Sequence, residues 1–188
     1  MPREPEPNAR AMASILFEEA TIERVESQDA ELLLLPLFLE ERPPRGLLGA
    51  IDWRFGGRIS RLIAEGAISA ERGSLGLLPA RRKLPLVDKL LIAGMGSMDG
   101  FSAATFNELL GEIAAGIESL AIRSLALALP GRSLGLIEAS AAFDALIDSP
   151  HSPLALDLIV YDEREAVREM ETLLATAKRR DRAHRYEV

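Results

Sequence analysis

The sequence predicts an α/β protein, a three-layer α/β/α sandwich around a mixed, largely parallel sheet. Three observations carry this reading. Apolar runs of strand length alternate with segments of helical periodicity over most of the chain. Residues 31–38, ELLLLPLF, carry an apolar run, unbroken from Leu32 to Phe38, of the kind found in a strand buried on both faces. Three joints between strands and helices carry glycine: Arg45-Gly46 with Gly49, Gly94-Met95-Gly96-Ser97, and Gly131-Arg132-Ser133-Leu134-Gly135.

The elements follow in order. Residues 1–13, with prolines 2, 5 and 7 among charges, read as a disordered leader. A first strand is expected at 14–19 and a second at 31–38. Pro36 within the second marks a bulge or a place where the ladder ends. Ile51, Phe55, Ile59, Leu62 and Ile63 recur at helical spacing, and Gly66 stands where that helix should stop. Short strands follow at 75–78 and 89–93. Phe106, Leu109, Leu110, Ile113 and Ile117 give the clearest helix. Thr105 with Glu108 forms a capping box at its start, and Ser102 competes for the cap. A strand at 124–129, a helix at 136–147 and a strand at 154–161 come next. Asp162 with Glu165 caps a last helix whose inner face is Val167, Met170, Leu174 and Ala177. The domain is expected to span 14–178, with a charged tail at 179–188.

Composition narrows the function. The 188 residues suit one domain with a real core, and 48% of them are hydrophobic. No cysteine is present, which removes disulfides, thiolate catalysis and Cys-ligated zinc. No signal peptide is visible and no apolar run is long enough to span a bilayer, so a cytoplasmic setting without a membrane partner is expected. A net charge of −7 argues against nucleic acid. The basic cluster Lys178-Arg179-Arg180-Asp181-Arg182 with Arg185 complements a helix C-terminus.

In open α/β sheets ligands gather at the carboxyl ends of strands, where helix N-termini attract phosphate or carboxylate. Arg45, Gly46, Gly49, Gly94, Gly96, Ser97, Gly131, Ser133 and Gly135 are therefore the candidate ligand-binding residues, for a small anion or nucleotide. If the three loops meet on one edge they form a cleft; otherwise their glycines serve tight turns. Gly94, Gly96 and Gly100 approximate a dinucleotide fingerprint, but the last glycine is one residue late and the motif lies in mid-chain. No acidic residue follows the next strand; Arg132 stands there, which suits a 2′-phosphate.

Candidates for chemistry are few. Glu18-Glu19 and Glu40-Glu41 are adjacent on extended segments and so point apart, which reads as surface solvation. Asp157 on an apolar strand is either a paired structural residue or lies at a strand edge. Ser149-Pro150-His151-Ser152-Pro153 reads as a turn. Only two histidines, His151 and His184, are present, and no metal-ligand spacing is seen. Trp53 stands either under the first loop or in a core or interface. No catalytic residue, metal ligand or cofactor is assigned.

Several segments together resemble the N-terminal domain of the leucyl (cytosol) aminopeptidase family. They are Asp29 through Pro36 (DAELLLLP), Arg45-Gly46 through Ile51-Asp52, GSLGLLP at 73–79, KLLIAGMG at 89–96 and SLALALP at 124–130. The likeness covers about 14–178. It implies a three-layer fold similar to macro domains, in which two glycine-bearing loops hold the phosphates of ADP-ribose. The corresponding loops here are 42–49 and 131–136. The first has Pro43-Pro44-Arg45 in place of an asparagine- and glycine-rich run. The family's two-metal peptidase chemistry lies in a C-terminal domain that these segments do not match, so no catalytic residue carries over. What the resemblance leaves is a stand-alone, non-catalytic domain acting in association, as a homo-oligomer or docked on a peptidase subunit. The alternative is a binding module for ADP-ribose, a nucleotide or another anion, and a weak hydrolase of ADP-ribose derivatives ranks third.

Overall fold

The computed structural model describes residues 15–148 and 156–186, with side chains through Arg180. The expected leader and the serine–proline turn around His151 fall outside the described residues. Among the described residues six strands form one sheet: β1 (Ile15–Glu19), β2 (Ala30–Phe38), β3 (Leu75–Pro79), β4 (Val87–Gly96), β5 (Ser124–Ala128) and β6 (Asp157–Asp162). Their spatial order is β1-β6-β5-β2-β4-β3. Every pairing is parallel except β3 with β4. The sheet is thus mixed and largely parallel.

β2 is central, and its side chains divide between two cores by period two. Leu32, Leu34 and Phe38 join the core under α4 (Ala103–Glu118), α5 (Ala139–Asp148) and α6 (Arg164–Tyr186). Leu33, Leu35 and Leu37 join the core under α1 (Ile22–Ser27), α2 (Gly46–Arg54) and α3 (Arg58–Ala64). Leu32 through Leu35 are wholly buried. Each fully buried leucine contributes roughly 1.5–3 kcal/mol, so the run ELLLLPLF drives both layers.

Three local outcomes differ from expectation. The helix read across Ile51 to Ile63 is two helices. Gly56 and Gly57 both take positive φ and break it. The buried carboxylate of Asp52 then accepts from the Ile59 and Ser60 amides at 2.7 and 3.1 Å, which caps α3 from α2. α1 was too short to show a period; Thr21 caps it by accepting from the Arg24 amide. At α4 the cap is Ser102, whose hydroxyl accepts from the Thr105 amide at 3.2 Å, and not Thr105.

Asp162 ends β6 and holds Arg132 and the Glu163 amide, so Glu163, whose carbonyl accepts from the Val167 amide, and not Asp162, stands at the start of α6; the other differences are of boundary. β4 runs from Val87 to Gly96, longer than expected, because β2 pairs with it from Ala30↔Val87 to Phe38↔Gly96. α5 starts at Ala139 because Leu136 is held in the preceding turn by its amide bond to the Gly131 carbonyl. α6 buries Val167, Met170 and Leu174 and then continues as helix to Tyr186, through positions expected as tail.

Ser102→Ala removes one cap and no core contact. It is expected to cost about 1 kcal/mol, lowering the melting temperature by about 2–4 °C for a domain of this size. Calorimetry checks this; a Thr105→Ala variant as damaging as Ser102→Ala would contradict the assignment.

Candidate functional site

The connections out of β2 and β5 part to opposite sides of the sheet, β2 toward β4 and β5 toward β6. Such a switch point leaves a crevice at the carboxyl ends of the two strands. The sequence deepens it. β2 pairs with β5 only from Leu32↔Leu125 to Leu34↔Leu127. Pro36, two residues on, has no N–H to continue a ladder. On its other side β2 keeps pairing with β4 and shifts register between Leu37 and Phe38. Pro36 thus marks both a ladder end and the approach to a bulge. A cavity of about 210 Å³ fills the gap, lined by Pro36, Glu41, Arg45, Gly46, Ser133 and Asp162 among others.

One wall is the N-terminus of α2. Arg45 is its N-cap residue, extended and without a side-chain cap bond. The first amide to bond backward is that of Gly49, to the Arg45 carbonyl at 3.0 Å. Among the described residues the amides of Gly46, Leu47 and Leu48 therefore have no hydrogen-bond acceptor, and all three residues line the cavity. Free amides at a helix start carry the positive end of its dipole.

The facing wall is the turn Arg132–Leu134, a single 3-10 turn held between two left-handed glycines, Gly131 (φ 76°) and Gly135 (φ 66°). Gly46 is also left-handed (φ 54°), and a Cβ placed on it would lie 3.4 Å from the Ser133 Cβ. The two loops therefore close on each other. Arg132 turns inward. Its Nε donates to Asp162 Oδ2 at 2.8 Å, Nη2 to Oδ1 at 3.3 Å, and Nη1 to the Ile137 carbonyl at 2.5 Å. The side chains are 12% and 2% exposed, so the guanidinium is committed to this pair and is not offered to a ligand. The Asp162 carboxylate is correspondingly occupied by Arg132 and by the Glu163 amide, and α6 begins at Arg164.

Glu41 is the second buried acid of the cavity. Its Oε2 accepts from the Phe38 amide at 3.1 Å. Burial raises its pKa above the ordinary carboxylate value, against the lowering effects of that bond and of Arg45. Tyr161 also lines the cavity, and burial, reinforced by the Glu18 charge, pushes its hydroxyl up.

Of the nine residues expected to bind, Arg45, Gly46 and Ser133 line the cavity. Gly49, Gly131 and Gly135 shape its walls: a Cβ on Gly49 would meet the Pro44 carbonyl at 2.6 Å, and one on Gly131 the Phe101 ring at 2.9 Å. Gly94, Gly96 and Ser97 stand apart at the end of β4. A Cβ on Gly94 would overlap the Glu71 carbonyl and the Ser74 hydroxyl, and one on Gly96 would lie 3.3 Å from Arg72 Cβ. The protein's own 69–74 segment thus lies against the backbone of Gly94 and Gly96. Ser97 Oγ instead donates to Glu40 Oε1 at 2.6 Å, tying the third loop to the first.

Glu40 and Glu41 do point apart, but only Glu40 is on the surface. Burial of Glu41 corrects the surface reading, and no one-dimensional pattern distinguishes it from Glu40. Asp157 is exposed at the start of β6. Trp53 is 82% exposed on α2 and is neither core nor under the first loop. Among the described residues no group of three or more acids and histidines is placed to hold a metal ion. None of their helices is long and apolar enough to cross a membrane.

The fold is macrodomain-like. It superimposes on a Trypanosoma brucei macrodomain with a TM-score of 0.67 at 14% identity, over 92% of this chain and 71% of that one. The same macrodomain in complex with ADP gives 0.66 at 16%, over 90% and 73%. Residues 34–148 match the N-terminal domain of the cytosol aminopeptidase family, and the chain belongs to that family. A mutant of tomato leucine aminopeptidase superimposes at a TM-score of 0.53 and 18% identity, over 86% of this chain and 36% of the enzyme. The chain thus spans about a third of that enzyme's length. The comparison with curated proteins returns no match.

Two measurements test the site's electrostatics. Asp162→Ala leaves the Arg132 charge buried and unpaired, at an expected cost of about 3–5 kcal/mol, and the melting temperature reads it. The second concerns Glu41. With its pKa raised, the native state holds the Glu41 proton more tightly than the unfolded chain. That stability is present at low pH and is lost as pH rises through the raised value. Glu41→Gln keeps an acceptor for the Phe38 amide and cannot ionise. It is expected to melt above the parent at neutral pH, with the gap closing at acid pH. A gap independent of pH would contradict the assignment.

Proposed function

We propose that the chain is a non-catalytic binding module that holds a small anionic group, phosphate or carboxylate, in the switch-point cavity. The observation that carries this reading is the set of three unpartnered amides at the start of α2, on residues that line the cavity beside Arg45. Amides fixed in this way bind an anion without reorganising. The volume of about 210 Å³ is below the roughly 300–1,000 Å³ of pockets that enclose a drug-sized ligand. The cavity is therefore read as holding one anionic head, with the rest of a nucleotide or ADP-ribose outside. The T. brucei macrodomain solved with ADP shares the fold and lends this class of ligand support. Protonated Glu41 donates to the anion, and its ionised form repels it, so affinity falls as pH rises.

A second reading, association with a second copy or a peptidase subunit, is favoured by a separate observation. Trp53, Leu75 and Leu77 are large apolar side chains left 82%, 44% and 47% exposed.

Thermal shift with phosphate, acetate, ADP and ADP-ribose tests the first reading. At about 100 times its dissociation constant a ligand adds roughly 2.7 kcal/mol, which for this size raises the melting temperature by ~5–10 °C. Arg45→Gln should reduce the shift and leave the ligand-free melting point near the parent's, because Arg45 is exposed and a neutral side chain adds no like charge beside Glu41. Silence from all four compounds would refute the reading.

A further inference from the structure

Among the described residues β3 closes one side of the sheet and pairs with β4 alone. The Gly94 amide donates to the Ser74 carbonyl, and the Ala80 amide to the Asp88 carbonyl. Even-numbered residues of this stretch therefore turn their backbone toward β4. By the alternation of an antiparallel ladder, Leu75, Leu77 and Pro79 turn theirs to the open edge. Their side chains are exposed and stand on the α4 side of the sheet, since they pair with Ala93, Leu91 and Lys89 and the first two belong to the α4 core. An apolar hollow of about 290 Å³ between β3 and α4, lined by Leu75, Leu109, Ile113 and Gly116, adjoins them on that face. Sheet edges are ordinarily blunted by charge or proline. This strand has no charge, and its one proline stands at the last position.

We propose that a second copy of this chain pairs antiparallel along β3, with Leu77 and the partner's Leu77 facing each other across a two-fold axis. The proposal gives the association reading a surface and a partner, and it rests on that reading. In this register the two Leu77 residues exchange a pair of N–H···O=C bonds. Each Leu75 amide reaches the carbonyl of the partner's Pro79. Only the Leu75 carbonyl lacks a donor, because proline has none. Charge selects the same arrangement. The stretch before β3 carries Glu71 and the stretch after it Arg82 and Lys83, all exposed and none in an ion pair among the described residues. Antiparallel pairing brings the acidic end of one strand beside the basic end of the other, twice. Parallel pairing would set like charges together. A two-fold axis normal to the sheet also keeps both α4 helices on one face, so the exposed leucines of the two copies merge into one apolar strip.

The test is sedimentation of the full chain over a range of concentrations, which should show a monomer–dimer equilibrium. Leu77→Lys places like charges across the axis and is expected to weaken the dimer about tenfold or more. Leu77 is half exposed, so circular dichroism and melting should stay near the parent's. Glu71→Lys and Lys83→Glu should each weaken the dimer, and the double swap in one chain should restore it. A monomer at every concentration overturns self-pairing altogether. A dimer indifferent to Leu77→Lys and to both single charge changes overturns this edge while leaving association through another face.

Discussion

The covering of both faces of β2 is the constraint on which the rest of this structure depends. A strand between two helical layers has no polar face to offer water, so its sequence must be apolar at every position. LLLLPLF, residues 32–38, meets that demand, and its alternate residues anchor two separate cores. The exception inside the run, Pro36, stands where the pairing with β5 has already stopped. The same segment thus drives the burial that holds the sandwich together and begins the gap at its carboxyl edge. Fold and cavity are two consequences of one strand.

Around that gap the protein manages charge by pairing one acid and burying another. Arg132 and Asp162 satisfy each other almost out of reach of solvent. Glu41 is driven toward its protonated form by burial. What remains uncompensated is the start of α2, where three amides have no acceptor. An arginine in the second loop would by itself suggest a cationic site. The ion pair removes that charge and leaves the helix N-terminus with Arg45 as the electropositive element.

The glycines divide along similar lines. Gly46, Gly131 and Gly135 take left-handed backbone that lets two loops turn toward each other. Gly94 is glycine for a different reason: another stretch of the same chain lies against its backbone. In the sequence these joints look alike, each a glycine pair after an apolar strand. A cleft for a ligand and a seat for the chain's own carbonyls impose the same steric demand on a residue, so composition cannot tell them apart.

The sequence by itself determined the layers, the strands from β1 to β6, the faces of α4 and α6, and the loops at the strand ends. These follow from local periodicity and from turn residues, which act over a few positions. It did not separate α2 from α3, because the apolar spacing runs through Gly56-Gly57 and the Asp52 cap arises only when α3 folds back. Nor could it show that Glu41 is buried and Glu40 exposed, that Arg132 reaches Asp162 thirty residues on, or that two loops meet while the third is filled. Tertiary structure decided those points, because each is a contact between groups far apart in the chain, and such contacts leave no period in the sequence.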